Sequence, residues 1–195
     1  GTVVVWGSNR YGQHDVPAPN AECVAVAAGC AFCLGLKADG TIVGWGDTAY
    51  GQCDVPAPNA EFVAVAAGSA HGLGLKADGT VVSWGRHDFG QDDVPVPNAD
   101  FVAIAAGYHH NLGLKADGSI VTWGLDHRGQ CDVPEPNADF AAIAGGYDYS
   151  LGVKADGTVV VLGAFGWHVA GPNADFTAAA AGALHNLRLR SAGMI

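Results

Sequence analysis

Chemistry in this 195-residue chain could be carried by eight histidines, five cysteines and nineteen carboxylates, and their spacing offers three arrangements. Cys30 and Cys33 form a C-x-x-C. A structural zinc site would need two further ligands, and the sequence holds no second pair. A thioredoxin-type redox site would need a helix N-terminus, which the surrounding pattern does not provide. A second arrangement is the row His14, Cys53, Asp92 and Cys131, with His168 as a loose fit, made only of metal-ligand types. These residues recur at equivalent places far apart in the chain. They should lie well over ~10 Å from one another, beyond the ~2 Å reach of zinc ligation. The third arrangement is His87, Asp88, His109, Asp126, His127 and Asp148, in segments that vary along the chain. They could converge as a metal site or an acid–base pair, or form a solvated polar rim. The sequence contains no H-E-x-x-H, no phosphate-binding G-x-x-x-x-G-K-[ST] and no serine-hydrolase signature, and nothing in it demands an enzyme.

What must position these residues is a repeat. Gly1, Gly40, Gly79, Gly118 and Gly157 each open a copy with Thr or Ser, and five copies of 39 residues (1–39, 40–78, 79–117, 118–156, 157–195) account for the whole chain, read as one domain. Trp6, Trp45, Trp84 and Trp123 are equivalent, and Leu162 takes their place in the fifth copy. Within the third copy, GTVVSWG (79–85), residues 101–107 and residues 110–115 are apolar and β-branched or small, and read as strands. Gly90–Val94 is expected to add a short outer strand, broken by Pro95 and Pro97. Ala116-Asp117-Gly118 is a hairpin turn into the next copy. With 29 glycines and no helical period, the chain is expected to be all-β. Four strands per copy predicts a β-propeller of five four-stranded blades, with a β-helix as the other option.

The combined pattern Ala-Ala-Gly-x-x-His-x-Leu-x-Leu-Lys-Ala-Asp-Gly-Thr-Val-Val-x-Trp-Gly, followed by Gly-Gln, resembles the regulator of chromosome condensation repeat over the whole chain, especially its bacterial versions such as the propeller inhibitor of β-lactamases. The resemblance implies a propeller fold and protein–protein binding with diverse partners. It departs in one respect: family propellers usually have seven blades, against five copies here.

The two ends are in complementary frames. Residues 2–6 have a strand sequence lacking its usual predecessor, and residues 186–190 one lacking its usual successor, so their pairing is expected to close the ring. A piece of a longer propeller is the other reading. Trp6, Trp45, Trp84 and Trp123 are expected to be buried wedges between blades, and out-of-register Trp167 to lie nearer the surface. Cys23 stands where the other copies have Phe, and reads as core. His71, His110 and His185 share a place with Phe32 and Tyr149, which reads as aromatic packing that can add one backbone hydrogen bond.

Nine Lys and Arg against nineteen Asp and Glu give a net charge of −10. Four of the nine are the repeat lysines Lys37, Lys76, Lys115 and Lys154, so no basic stripe is left for phosphates, and nucleic acid is not an expected partner. No apolar run is long enough for a membrane-spanning helix. The odd cysteine count lacks a disulfide framework, and the compartment stays open. No cofactor or metal is expected, and a monomer is.

Consecutive strands run antiparallel, so loops sort by face. The Lys-Ala-Asp-Gly turn and the Pro-x-Pro-Asn-Ala connection share one face and barely vary between copies. The loop after Ala-Ala-Gly and the loop after Trp-Gly share the other and vary strongly, as recognition loops on a rigid scaffold do, although tolerant loops also drift. The candidate partner-binding residues are Tyr11, Arg86, His87, Phe89, Tyr108, His109, Asp126, His127, Arg128, Tyr147 and Asp148. The expected function is a non-enzymatic scaffold that binds a protein through this face. The alternatives are a lectin-like propeller with pockets between blades, and an enzyme using the His/Asp loop residues. A lectin would favour similar ligand residues in every copy, whereas these loops differ.

Overall fold

Each copy folds because its apolar residues alternate, and because the Asp-Gly turn and the Ala-Ala-Gly loop reverse the chain at fixed places. A computed structural model describes residues 1–163, 173–183 and 185–190. The described residues form fourteen strands in five antiparallel sheets. The sheets are β1 (Cys23–Ala28), β2 (Phe32–Lys37) and β3 (Ile42–Gly46); β4 (Phe62–Ala67), β5 (His71–Lys76) and β6 (Val81–Gly85); β7 (Phe101–Ala106), β8 (His110–Lys115) and β9 (Ile120–Gly124); β10 (Phe140–Gly145), β11 (Ser150–Lys154) and β12 (Val159–Leu162); and β13 (Phe176–Ala181) with β14 (Asn186–Arg190). The chain order of strands is their order in each sheet, so each sheet straddles a repeat boundary. The first strands β1, β4, β7, β10 and β13 lie side by side, each against the next. Every first strand pairs with its neighbour through a bulge near its start, as at Phe62/Ala64.

Successive sheets stack face on face. One face offers the two leucines of the middle strand; the next sheet answers with its first-strand Phe and third-strand Trp. Leu34, Leu36 and Ile42 thus pack with Phe62 and Trp84, and Leu73, Leu75 and Val81 with Phe101 and Trp123. Trp45, Trp84 and Trp123 are each 5% exposed, and their indole N–H groups donate to the carbonyls of Gln13, Gln52 and Gln91 at 2.8–2.9 Å. The wedge expected of tryptophan holds for these three. Trp6 is 84% exposed and corrects that expectation at the first copy. Trp167 lies outside the described residues.

Two further expectations are corrected. Four of the five described sheets have three strands and the fifth has two, where four are expected. Gly90–Val94 forms a turn because its backbone groups are bonded elsewhere. Gly90 takes φ +75, Asp93 N–H returns to Gly90 O, and the Gln91 carbonyl accepts from Trp123, Asn111 and Ser83. The Gln91 side chain meanwhile accepts from the Phe89 N–H at 2.8 Å. These bonds take up backbone groups that a fourth ladder would use.

The terminal pairing is also absent. Among the described residues β14 pairs with β13 alone, and residues 2–6 form no ladder. Residues 1–3 are instead held at the standard place of a third strand. Asn20 bonds both backbone groups of Val3 at 2.8 Å, as Asn59 does for Ile42 and Asn98 for Val81. The described third strands β3, β6, β9 and β12 each reach their middle strand through the Asp-Gly turn.

Candidate functional site

The two faces sort as the loops suggest. On the repeat-invariant face, Lys76, Lys115 and Lys154 donate to the carbonyls of Pro58, Pro97 and Pro136 at 3.0–3.4 Å, and lie over the rings of Phe62, Phe101 and Phe140. Asp39, Asp78 and Asp117 accept from the backbone and hydroxyl of the residue two places on, which lowers their pKa values. These residues are occupied in holding turns. On the opposite face the two loop types are tied together, since Asp47, Arg86 and Leu125 N–H donate to Ala31, Ala70 and His109 carbonyls at 2.9 Å. The Ala-Ala-Gly loops are also linked from sheet to sheet: Cys30 N–H to Ser69 O, Ser69 N–H to Tyr108 O and Tyr108 N–H to Gly146 O. They ring an open mouth of about 270 Å³ lined by Gly29, Gly68, Gly107, Gly146 and their neighbours.

Beside this mouth the variable side chains form one aromatic run. Arg86 lies 4.9 Å from the Tyr50 ring and 5.4 Å from that of Phe89. The Phe89 ring is 4.9 Å from His109, His109 is 4.4 Å from Tyr108, and Tyr108 stacks on Tyr147 at 4.1 Å. Arg86 is fixed by Asp88 at 2.7 Å and His109 by the Ser69 hydroxyl at 3.0 Å. Partial burial, and then the Arg86 charge, lower the His109 pKa, which favours a neutral ring within the run. Such a surface is rigid, amphipathic and low in side-chain entropy, the properties of a recognition patch.

Of the eleven candidates, Arg86, Phe89, Tyr108, His109 and Tyr147 are therefore brought into one patch. His127 and Asp148 approach each other at 3.9 Å. Asp126 accepts the Cys131 N–H at 2.9 Å, as Asn9 accepts that of His14, so its carboxylate serves its own loop. Tyr11 sits under Arg10 at 5.6 Å. The exposed His87 ring reaches only the Gly85 carbonyl, at 3.4 Å, and Arg128 borders a shallow hollow with His127 and Asp132. Tyr50 and Ser69 are additions. Tyr50 could have been found from its place beside Tyr11 and Phe89 in the repeat; Ser69 carries no distinguishing signal.

Cys30 and Cys33 are free thiols whose pKa values burial raises, which disfavours the reactive thiolate. Burial, reinforced by Asp54 and Asp126 respectively, pushes Cys53 up to about 11 and Cys131 up to about 12. No group of three or more metal-ligating side chains converges among the described residues, and no helix there is long and apolar enough to cross a membrane.

Stacked antiparallel sheets around a mouth define a β-propeller-like protein. Residues 62–91 and 101–130 match the regulator of chromosome condensation (RCC1) repeat. Among solved structures it is similar to the receptor kinase CR4 ectodomain of Physcomitrella patens (TM-score 0.74, 25% identity, 91% of this chain and 50% of that one). It is also similar to the ACR4 ectodomain of Arabidopsis thaliana (0.72, 25%, 95% and 67%). Prp20p of Saccharomyces cerevisiae, described with its binding to Gsp1p and histones, shares the fold (0.69, 19%, 83% and 54%). The chain thus spans roughly half to two thirds of these proteins. No match was found among curated protein sequences.

Proposed function

We propose that this chain is a non-enzymatic scaffold that binds a protein partner through its variable-loop face. The observation that carries this reading is the continuous run Tyr50–Arg86–Phe89–His109–Tyr108–Tyr147, assembled from loops of three copies. Tyr108 and Tyr147, and Tyr50 and Phe89, hold equivalent places, but Arg86 and His109 recur in no other copy, which suits one asymmetric partner rather than a repeated sugar pocket. The binding of Gsp1p and histones by the similar Prp20p supports the class of partner. A net charge of −10 favours a partner with a basic surface.

The test uses affinity capture followed by titration of each retained protein. Tyr108→Ala, and Arg128→Ala as the outlying candidate, should weaken binding by about 1 kcal/mol or more with thermal stability nearly unchanged. Lys76→Ala and Lys154→Ala should bind as the parent does. Loss of binding in the lysine variants alone would place recognition on the opposite face. A hit on a glycan array without any retained protein would favour the lectin reading.

A further inference from the structure

The carboxylates beside the aromatic run are not all held in the same way. Asp88 is bonded to Arg86 within its own loop at 2.7 Å, and Asp126 accepts the Cys131 N–H. Asp148 has neither arrangement. Only 14% of its side chain is exposed, against 53% for Asp88, and among the described residues its carboxylate accepts no hydrogen bond. Its ion-pair neighbour there is His127 Nε2 at 3.9 Å, beyond hydrogen-bond reach. A carboxylate so withdrawn from water and so poorly paired raises the free energy of the unbound protein. The repeat does not ask for it, since the equivalent places hold Ala31, Ala70 and His109. Beside it in the chain is Tyr147, 43% exposed, whose ring stacks on Tyr108 at 4.1 Å.

We infer that Asp148, with Tyr147 beside it, receives a cationic side chain, lysine or arginine, from the protein partner. The inference rests on the reading of the variable-loop face as a recognition surface, and gives that surface an anchor residue and a sign of charge. A carboxylate next to an aromatic ring suits one cation, which meets the charge with its head and lies against the ring.

Charge complementarity selects this occupant. Arg86 is neutralised at home by Asp88, whereas Asp148 is not, and the chain as a whole carries −10. An acidic side chain would meet like charge, and an apolar one would seal the carboxylate in without a partner. A cation supplies the hydrogen bonds that Asp148 lacks in the free protein, so the cost of withdrawing the carboxylate from water is offset only in the complex. A desolvated charge pair rimmed by aromatic contacts that exclude water has the make-up of a binding hot spot.

Two measurements test this. The first needs no partner. Asp148→Asn keeps the shape and removes the charge, and its thermal midpoint should match or exceed that of the parent. A lowered midpoint would mean that the carboxylate holds its own loop, and would overturn the inference. The second uses a phage-displayed library of random peptides as the probe, selected on the parent and counter-screened on Tyr108→Ala. Peptides that Tyr108→Ala fails to bind are held by the variable-loop face. Among them Lys and Arg should be enriched over the starting library at one position, and Asp148→Asn should weaken their binding by at least about tenfold. Replacing that lysine or arginine by Met should abolish the difference between parent and Asp148→Asn. Face-dependent peptides without this enrichment, or bound equally by Asp148→Asn, would overturn the role of Asp148 and leave the recognition face standing. A selection in which no peptide depends on Tyr108 would overturn both.

Discussion

His71 and His110 show how one residue position is chosen by its neighbour in the next copy. Both are fully buried, and each Nε2–H donates across the sheet boundary, to Asn111 Oδ1 and Ser150 Oγ. Asn111 and Ser150 in turn donate to the Gln91 and Gln130 carbonyls at 2.9 and 3.0 Å, which fixes the imidazole tautomer. Burial pushes both histidines down to about 4 from 6.5. A depressed value means that the folded state resists protonation. Stability is therefore full above pH 6.5 and drains as pH falls toward 4, by about 3 kcal/mol per imidazole at the lower end. Urea melts at stepped pH should show this fall, and His71→Phe should remove part of it. The same substitution leaves buried Asn111 without its donor and should cost roughly 1–3 kcal/mol at neutral pH. Phe32, the equivalent residue one copy earlier, corresponds to Gly72 in the place of Asn111. His71→Phe with Asn111→Gly should accordingly be less destabilised than the two single changes added, by on the order of 1 kcal/mol. The sequence showed an aromatic at this place in every copy, but not the partner, because the pairing joins residues about forty apart and only the stacking direction reveals which copy answers which. The glycine of Ala-Ala-Gly has the same origin. A Cβ on Gly107 would lie 2.0 Å from the His110 ring, so the ring's place requires it.

At the scale of the element, the hairpins were legible and the outer strand was not. Asp-Gly turns and β-branched alternation specify the second and third strands in each copy, and small residues specify the first. Gly90–Val94 has strand-like spacing, but the Gln91 carbonyl is the acceptor for a tryptophan belonging to the next sheet. That use of the backbone is tertiary and leaves no local signature. The Gln91 and Gln130 side chains, both fully buried, satisfy the loop backbone two residues earlier, so the repeat Gly-Gln is a clamp on the loop rather than part of a ladder. Where Leu162 replaces tryptophan, the Gln130 carbonyl is still satisfied, by the Ser150 hydroxyl. The tryptophan position thus has two energetic regimes. Trp84→Ala should lower stability by roughly 3–5 kcal/mol, measured by denaturant titration, since it empties a wedge and frees the Gln52 carbonyl. Trp6→Ala should leave the dilute single chain unchanged, because 84% of that residue already faces solvent. Equal losses in the two variants would mean that the first copy is packed like the others.

For the molecule as a whole, stacked sheets make stability a property of neighbours. Each interior sheet is held on both sides by Leu-to-Phe/Trp contacts, whereas β13–β14 and residues 1–6 have one side each. In such an array local opening is easiest where one neighbour is absent. Ring closure was inferred from two strand sequences with matching frames; the frames do match, yet frame says nothing of the distance or angle between the ends, which the small rotation from sheet to sheet accumulates. The candidate face was legible for a different reason. Variation between copies marks loops that the fold leaves free, and Arg86, Phe89, Tyr108, His109 and Tyr147 follow from it. Asp126 did not, since a carboxylate that caps its own loop varies like one that binds. Hydrogen exchange reads the consequence directly. Amides of β5 and β8 should exchange slowest, those of β14 fastest among the middle strands, and the order should run β14, β11, then β8. Uniform protection along all five sheets in dilute solution would require that the ends be joined within one chain, and would return the molecule to the closed ring that its sequence suggests.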